Sequence, residues 1–417
     1  MFTRLADARA KVAEDWKRTK GKGGVERVTS ALWTAAKRAG YPVLAPLYRF
    51  TMANYFIAVY PLNALLSVLL RNVKYPDSVL HISYMVHIPY YTTRLLRRYG
   101  GLKADYLAVG SQSPWWDKYD YHFTPRWPPM PWDELYFFWK VVAKYEIVHC
   151  HFGMSFSVTG WDLAILKRMG RKIVVHYRGC EVRDPEKLRA RSPELNICQQ
   201  CDYNGLVCRE GKPRVARAEK YGDLFLVTTP DMKDFVPGAI HFPFFAPDLP
   251  EVRERTRAVG RPFKIVHVTN HPGIEGTPLI ERAIESLKRQ GFAIDFVFLR
   301  GVPPERVIEE MRDADLSIGK MKMGYYANAQ IESMALGVPT ITWVRPDLMT
   351  DEIARSGFIL CGVGELEETL RFYLTHPEEL EKKRKLARSS ILALHDNERL
   401  VGELTRLYRS LTSEVVP

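Results

Sequence analysis

The spacing of apolar positions changes several times along the 417-residue chain, and each change predicts an element. From Phe2 through Ala36 apolar residues recur at mixed helical spacings, broken at Gly21 to Gly24, which predicts helices. Thr51 to Leu70 then carries no charge and is flanked by Arg49, Arg71 and Lys74. By length the stretch is sufficient to cross a bilayer. Pro61 at its centre, with Asn54, Asn63 and Ser67, points instead to a bent, interfacial insertion, with a buried helix pair and a true span as the alternatives.

After residue 74 short apolar runs alternate with helical periods. Strands are predicted at Ser78–Tyr84, Asp105–Val109, Ile147–His151, Lys172–Tyr177, Leu224–Thr228 and Ala239–Phe242, with helices around Leu95–Tyr99, Trp132–Lys144 and Trp161–Met169. Ser111 to Trp132 is too rich in proline and aromatics for a regular element and reads as a surface flap. Pro243 to Pro262 is polar and proline-punctuated, as a linker is. The alternation then restarts, with strands at Lys264–Val268, Ile294–Leu299, Leu316–Ile318 and Thr340–Val344 and helices at Thr277–Arg289, Pro304–Asp313 and Ala329–Leu336. Three helices follow, at about Glu365–Thr375, Glu378–Leu394 and Asn397–Leu411. The pattern predicts an α/β chain: a helical membrane-associating segment over 1–74, and two Rossmann-like domains facing a cleft, over 75–250 and 260–395. A last helix, 396–417, is expected to pack back toward the linker.

Composition narrows the function. With 46% apolar and 26% charged residues the chain folds rather than staying disordered. The net charge is +12, and up to Arg49 basic residues outnumber acidic ones eleven to four. No helix-turn-helix, zinc-finger or RNA-binding signature accompanies that charge, so a phosphate-rich membrane surface is the expected partner and nucleic acid is not. No signal peptide is recognised, and the cysteines suit a reducing compartment. The expected location is cytoplasmic, peripheral or monotopic at the inner face of the cell membrane.

The most informative stretch is GYYANAQIESMALGVP, from Gly324 to Pro339. A glycine-bearing turn (Gly324, Tyr325, Tyr326, Ala327, Asn328) enters a helix with one carboxylate, Glu332. Free amides at a helix start favour phosphate, and a carboxylate further along can accept hydrogen bonds from ribose hydroxyls. The plainer alternative is a buried glutamate paired within its own domain.

This segment resembles the nucleotide-binding signature of family-4 glycosyltransferases of the two-Rossmann, GT-B type, which Glu332, Met334, Ala335, Gly337 and Pro339 match. HVTNHPGIEGTPLIERAIESL, from His267 to Leu287, is similar to the loop and helix after the first strand of that domain, and His395–Asp396 and Leu407–Tyr408 resemble the family's terminal helices. The resemblance covers Lys264 to Leu411 well and the first half weakly. It implies a transferase acting on a nucleotide sugar, with retention at the anomeric carbon and no catalytic metal, and a lipid-linked or glycan acceptor as in polysaccharide biosynthesis. Donor contacts fall on Glu332, Thr277, Gly276 and Asn270. Two positions depart from the pattern: Glu275 stands where a lysine is usual, and Gly324 where many members have a second glutamate. Lys320, Lys322 and Arg300 are the candidates to restore positive charge at the diphosphate. The departures leave open a non-catalytic binding or scaffold protein on the same fold.

In the first half, His149 and His151 end one predicted strand, and His176 and Arg178 the next, at the edge where open α/β sheets bind ligands. In the resembling family a histidine often lies near the anomeric carbon, at the position that Arg178 takes here. Arginine is no base, but it can stabilise charge on a leaving diphosphate. His176, Arg178 and His151 are therefore the catalytic candidates, with satisfied core histidines as the plain reading. Cys198, Cys201 and Cys208 lie in ICQQCDYNGLVC, with Cys180 upstream. So spaced they suit structural zinc, an iron–sulfur cluster, reduced thiols or a disulfide. Trp115, Trp116, Tyr119, Tyr121, Trp127 and Trp132 crowd the flap, as an acceptor wall or a packed satellite cluster.

Overall fold

A computed structural model describes residue 55 and residues 59–413, apart from 85, 111–116, 125–130, 158, 192–194, 196 and 250–259. The reading of residues 1–54, of the linker centre and of Trp115, Trp116 and Trp127 lies outside the described residues.

Two parallel sheets carry the fold. The first has strands β1 (Tyr75–Ser83), β2 (Lys103–Val109), β3 (Tyr121–Phe123), β4 (Tyr145–His151), β5 (Lys172–Tyr177), β6 (Leu224–Val227) and β7 (Ile240–His241), in the order β3-β2-β1-β4-β5-β6-β7. The second has β8 (Phe263–Val268), β9 (Ile294–Leu299), β10 (Leu316–Ile318), β11 (Thr340–Thr342) and β12 (Phe358–Leu360), in the order β12-β11-β10-β8-β9. Central strands buried on both faces need no alternation, which is why β1, β4 and β5 read as near-continuous apolar runs. The chain reverses its direction of growth between β1 and β4 in the first sheet and between β8 and β10 in the second. Crevices open at the carboxyl ends of such strand pairs.

Two strands were not expected. Tyr121–Phe123 sits inside the segment read as a flap, where Leu107 and Val109 of β2 pair with Tyr121 and Phe123. Phe358–Leu360 extends the second sheet beside β11. Each has three residues, too few to display a period. Pro89 lies in the first turn of the helix His87–Leu95, where a missing N–H costs no intrahelical bond.

The last helix, Asn397–Thr412, crosses from the second sheet to the first. Leu400, Val401, Leu404 and Tyr408 recur at helical spacing and pack on Val79, Ile147, Val174 and Leu226 of the first sheet. Its start is pinned to the chain that leaves β7: Asn397 pairs through both ends of its amide with the Ala246 backbone, at 2.9 and 3.0 Å.

Among the described residues no helix is long and apolar enough to cross a membrane. The helix over residues 59–69 is nonetheless turned inside out. Its polar Asn63 and Ser67 are buried, and Trp139 Nε1 donates to Asn63 Oδ1 at 2.9 Å. Leu62, Leu65, Val68 and Leu69 face outward, Leu65 and Leu69 at 56% and 65% exposure. Trp132 and Tyr136, on the helix Pro131–Lys140, are exposed too, and the Trp132 ring meets that of Tyr55 at 5.2 Å.

Candidate functional site

At the carboxyl ends of β1, β4 and β5 four imidazoles stack inside the protein: His81, His149, His151 and His176. Arg178, just past β5, fixes their tautomers. Its Nε and Nη2 donate to His151 Nδ1 at 3.1 and 2.9 Å, so that nitrogen is an acceptor. His151 must then carry its proton on Nε2, donating to His81 Nδ1 at 3.0 Å. His81 Nε2–H in turn faces the Tyr408 hydroxyl at 3.4 Å, and that hydroxyl donates to His149 Nδ1 at 2.6 Å. His149 Nε2–H donates to His176 Nδ1 at 3.2 Å, and His176 Nε2–H to Thr228 Oγ1 at 3.2 Å. Thr228 also accepts from Arg178 Nη1 at 3.2 Å, which closes the ring.

Every imidazole in this ring is neutral and uses both nitrogens. Burial is the main cause, with the Arg178 charge adding to it: His81 is held down to about 3, and His149, His151 and His176 also lie well below the usual histidine range. The ring nitrogens of His81, His149 and His151 fall within 4.8 Å of one another, the one such group among the described residues. Their lone pairs are committed and a guanidinium abuts them, so the trio is no cation site. His151 and His176, two of the three catalytic candidates, have both ring nitrogens engaged in this ring, and His151 accepts from Arg178.

Arg178 is the group the ring leaves chemically open. Burial lowers its pKa to about 9, opposed by the charge of Glu181, so it stays a cation at neutral pH. It forms no ion pair among the described residues, and its Nη1 and Nη2 each retain one N–H beyond the bonds above.

Across the crevice stands the helix Asn328–Ala335. His87, close enough to Arg178 for the guanidinium to depress its pKa to about 4 after burial, meets Asn328 Nδ2 at 3.3 Å. That contact joins the helix entrance to the first domain. The first amides of any helix lack intrahelical acceptors; Ala327 N is satisfied by Gln330 Oε1 at 3.1 Å, which leaves those of Asn328 and Ala329 for a ligand. Glu332, one turn on, has no hydrogen-bond or ion-pair partner among the described residues. Burial alone raises its carboxyl to about 7, and Tyr91 feels its charge from the first domain.

Other expected donor contacts point elsewhere. Thr277 begins the helix Thr277–Arg289, but its hydroxyl donates to His267 Nε2 at 2.8 Å, since His267 Nδ1–H is spent on the Ile318 carbonyl at 2.8 Å. Lys320, expected at the diphosphate, stands 3.3 Å from Glu275, and its charge is cancelled. Lys322 reaches away to Gln200 Oε1 at 3.1 Å. Tyr325 and Tyr326 are a buried stacked pair, the latter bonded to His395 at 3.1 Å. Gly276 and Gly324 have left-handed backbones, φ +95° and +78°. A side chain at 324 would also meet Arg345 Cδ at 2.9 Å, and Arg345 is tied to Asp234 of the first domain at 2.6 Å. The missing second glutamate therefore has a steric reason. Asn270 is exposed at the end of β8 and accepts from Gly301 N at 3.0 Å. The structure thus links Asn328 to the first domain through His87, which also feels the Arg178 charge, with Glu332 one turn further along the same helix. His81 and Thr228 were not singled out by the sequence, and Tyr408 only for its resemblance to the family's terminal helices, although the histidine in SVLHISY occupies the same strand end as His149 in its neighbour.

None of the six cysteines is in a disulfide. Cys180, Cys198, Cys201 and Cys208 share the long β5–β6 connection, where Cys208 feels the charge of the other three, Cys198 that of Cys180 and Cys201, and Cys180 that of Cys201. In the aromatic flap Tyr119 lies beside the His122 ring at 5.1 Å and Tyr121 belongs to β3, so these two are packed within the first domain.

No protein-family model matches the chain, and no curated protein matches it in sequence. Solved structures do resemble it. Sucrose-phosphate synthase from Thermosynechococcus elongatus superposes with a TM-score of 0.53 at 14% identity, covering 81% of this chain and 99% of that one. HepE from Anabaena, in complex with UDP and glucose, gives 0.52 at 10% identity over 80% and 100%. The catalytic domain of starch synthase IV from Arabidopsis thaliana, bound to ADP and acarbose, gives 0.51 at 12% identity over 81% and 99%. At such identities the likeness speaks for architecture, and with two parallel sheets about one crevice the chain has the GT-B, glycosyltransferase-like fold.

Proposed function

We propose that this chain transfers a sugar from a nucleotide-sugar donor to a lipid-linked or polysaccharide acceptor at a membrane surface. One observation carries the reading: a guanidinium with no ion-pair partner among the described residues, and a helix entrance whose carboxylate likewise has none there, both neighbour His87. A nucleoside diphosphate sugar supplies what both lack, anionic oxygens for Arg178 and the Asn328 and Ala329 amides, and hydroxyl donors for Glu332. Arg178 stabilises charge on the departing diphosphate, and the histidine ring keeps it in place without taking a proton. Retention follows from the family resemblance. The bound UDP of HepE and ADP of starch synthase IV accord with this donor class.

The outward apolar face of the helix over residues 59–69, together with Trp132 and Tyr136, supports the membrane part. Apolar side chains are turned out where water would favour the buried Asn63 and Ser67, and a basic excess precedes them in sequence. On this reading the protein is monotopic or peripheral at the cytoplasmic face.

The Glu275–Lys320 pair favours a second reading, a binding or scaffold protein, because it sets a carboxylate in the loop that follows β8 and pairs it with the cation that follows β10. Nucleotide-sugar turnover separates the two. The enzyme releases nucleoside diphosphate from at least one common donor, and Arg178→Met lowers that rate by about 10²-fold or more. Donor binding without release, with membrane extract supplied as acceptor, would leave the scaffold.

A further inference from the structure

We infer that Cys180, Cys198, Cys201 and Cys208 hold one zinc-class divalent ion in an all-thiolate site that clips the β5–β6 connection onto the loop after β8.

The connection needs such a clip. Its helix Pro185–Arg191 buries no residue, so this part has little core of its own. The four thiols come from three separate pieces: Cys180 from just past β5, Cys198 and Cys201 from the turn at Ile197–Gln200, and Cys208 from the first turn of the helix Leu206–Tyr221. One turn after Cys208, Gly211 lies so close to the Glu181 backbone that a Cβ would meet its Cα at 2.8 Å. Only glycine permits that approach, and it brings the first turns of the helix that carries Cys208 against the chain just past Cys180. The turn after Cys201 is shaped around its sulfur: Asn204 and Gly205 take left-handed backbones, φ +49° and +71°, and Gly205 N donates to Cys201 Sγ at 3.5 Å. An N–H directed at sulfur is the kind of contact that orients a metal-ligating group.

Charge around the thiols has the matching sign. Four thiolates on a divalent ion leave a double negative charge; Arg183 and Arg189 act on Cys180 and Cys198, and Lys322 is coupled to Cys198. Without an ion, burial holds Cys180, Cys198 and Cys208 as neutral thiols, Cys208 up to about 11. No three of the sulfurs lie mutually within 4.8 Å. Closure on an ion at about 2.3 Å per bond therefore draws the side chains inward.

The clip bears on the second domain. Gln200 O would lie 1.9 Å from a Cβ at Gly273, and the Asp202 carboxylate accepts from Gly273 N and Ile274 N at 3.5 and 3.4 Å. These residues lead into Glu275 and Thr277. On the proposed function, losing the ion loosens this loop and weakens donor binding, whereas the metal site itself stands or falls independently of catalysis.

The experiment uses full-length protein purified without chelator. Elemental analysis is expected to give one zinc per chain, and alkylation followed by peptide mass spectrometry to find these four cysteines protected until a strong chelator is added. Cys150→Ser and Cys361→Ser keep the metal, while Cys201→Ser and Cys208→Ser lose it. The chelated wild type, re-loaded with cobalt, shows thiolate-to-cobalt charge transfer and tetrahedral visible bands, a readout that needs no variant to fold. Metal-free protein whose four thiols react equally with and without chelator, and whose apo form takes up no cobalt, overturns the site. So does a disulfide among them or the visible absorption of an iron–sulfur cluster.

Discussion

Replacing Glu332 by glutamine tests the energetics of the crevice directly. Burial raises the carboxyl from 4.5 to about 7, and no neighbour offsets the cost of ionising it. A group whose folded pKa exceeds its unfolded value takes up a proton on folding between the two. Its contribution is therefore fully present below the unfolded pKa, falls as pH rises, and is lost once pH passes the folded value. A shift of this size corresponds to about 3 kcal/mol at most. The carboxylate borders an open crevice, and screening by solvent reduces this to on the order of 1–2 kcal/mol. Wild type should lose that amount relative to Glu332→Gln between about pH 5 and pH 8, which at 2–4 °C per kcal/mol widens the gap in Tm by roughly 2–8 °C in favour of the variant. Because histidines are common to both proteins, the difference isolates this one carboxyl. Ribose hydroxyls donate to the ionised form, so a nucleoside diphosphate added at the higher pH should stabilise wild type more than the variant. A gap that is unchanged between the two pH values, or that narrows as pH rises, would refute the picture of a buried, partnerless carboxylate.

Other outcomes follow from the same geometry. As pH falls below the unfolded histidine value, His81, His149, His151 and His176 bind protons only in the unfolded chain, so stability should drop with a slope approaching four protons, about 5 kcal/mol per pH unit; a pH series of Tm giving a single-proton slope would contradict the neutral ring. Tyr408→Phe leaves His149 Nδ1 without its donor and should cost about 1–3 kcal/mol by denaturation, and no loss would mean that the hydroxyl is dispensable. Restoring the family's glutamate, Gly324→Glu, should destabilise the protein by at least about 1–2 kcal/mol, because the left-handed backbone disfavours a Cβ and Arg345 must move; a gain of activity without loss of Tm would disprove the steric account. Glu275→Gln frees Lys320 and should tighten nucleoside diphosphate binding several-fold in calorimetry, whereas unchanged affinity would place Lys320 outside the donor site. Leu65→Asp with Leu69→Asp changes only exposed positions, so the fold should persist while flotation with anionic phospholipid vesicles is lost; persistent flotation would refute the membrane role of this helix.

Much of this was legible in the chain itself. Strand and helix alternation comes from local apolar spacing, and parallel strands buried on both faces write themselves as continuous runs, so the two-sheet architecture and the Glu332 helix could be read from residues adjacent in sequence. Strands of three residues, such as Tyr121–Phe123, could not, since pairing with a neighbour and not periodicity makes them. Proton placement was also beyond reach. His81, His149, His176, Thr228 and Tyr408 are separated by up to 327 positions, and only the crossing of the last helix over the first sheet closes them into one hydrogen-bonded ring. The same holds for charge: Lys320 and Lys322 look alike on paper, but one is cancelled by Glu275 and the other is drawn to Gln200. Sequence determines which groups are present and how each segment bends; a group's freedom to meet a ligand depends on which partners have already claimed it, and those partners are chosen by packing across the whole molecule.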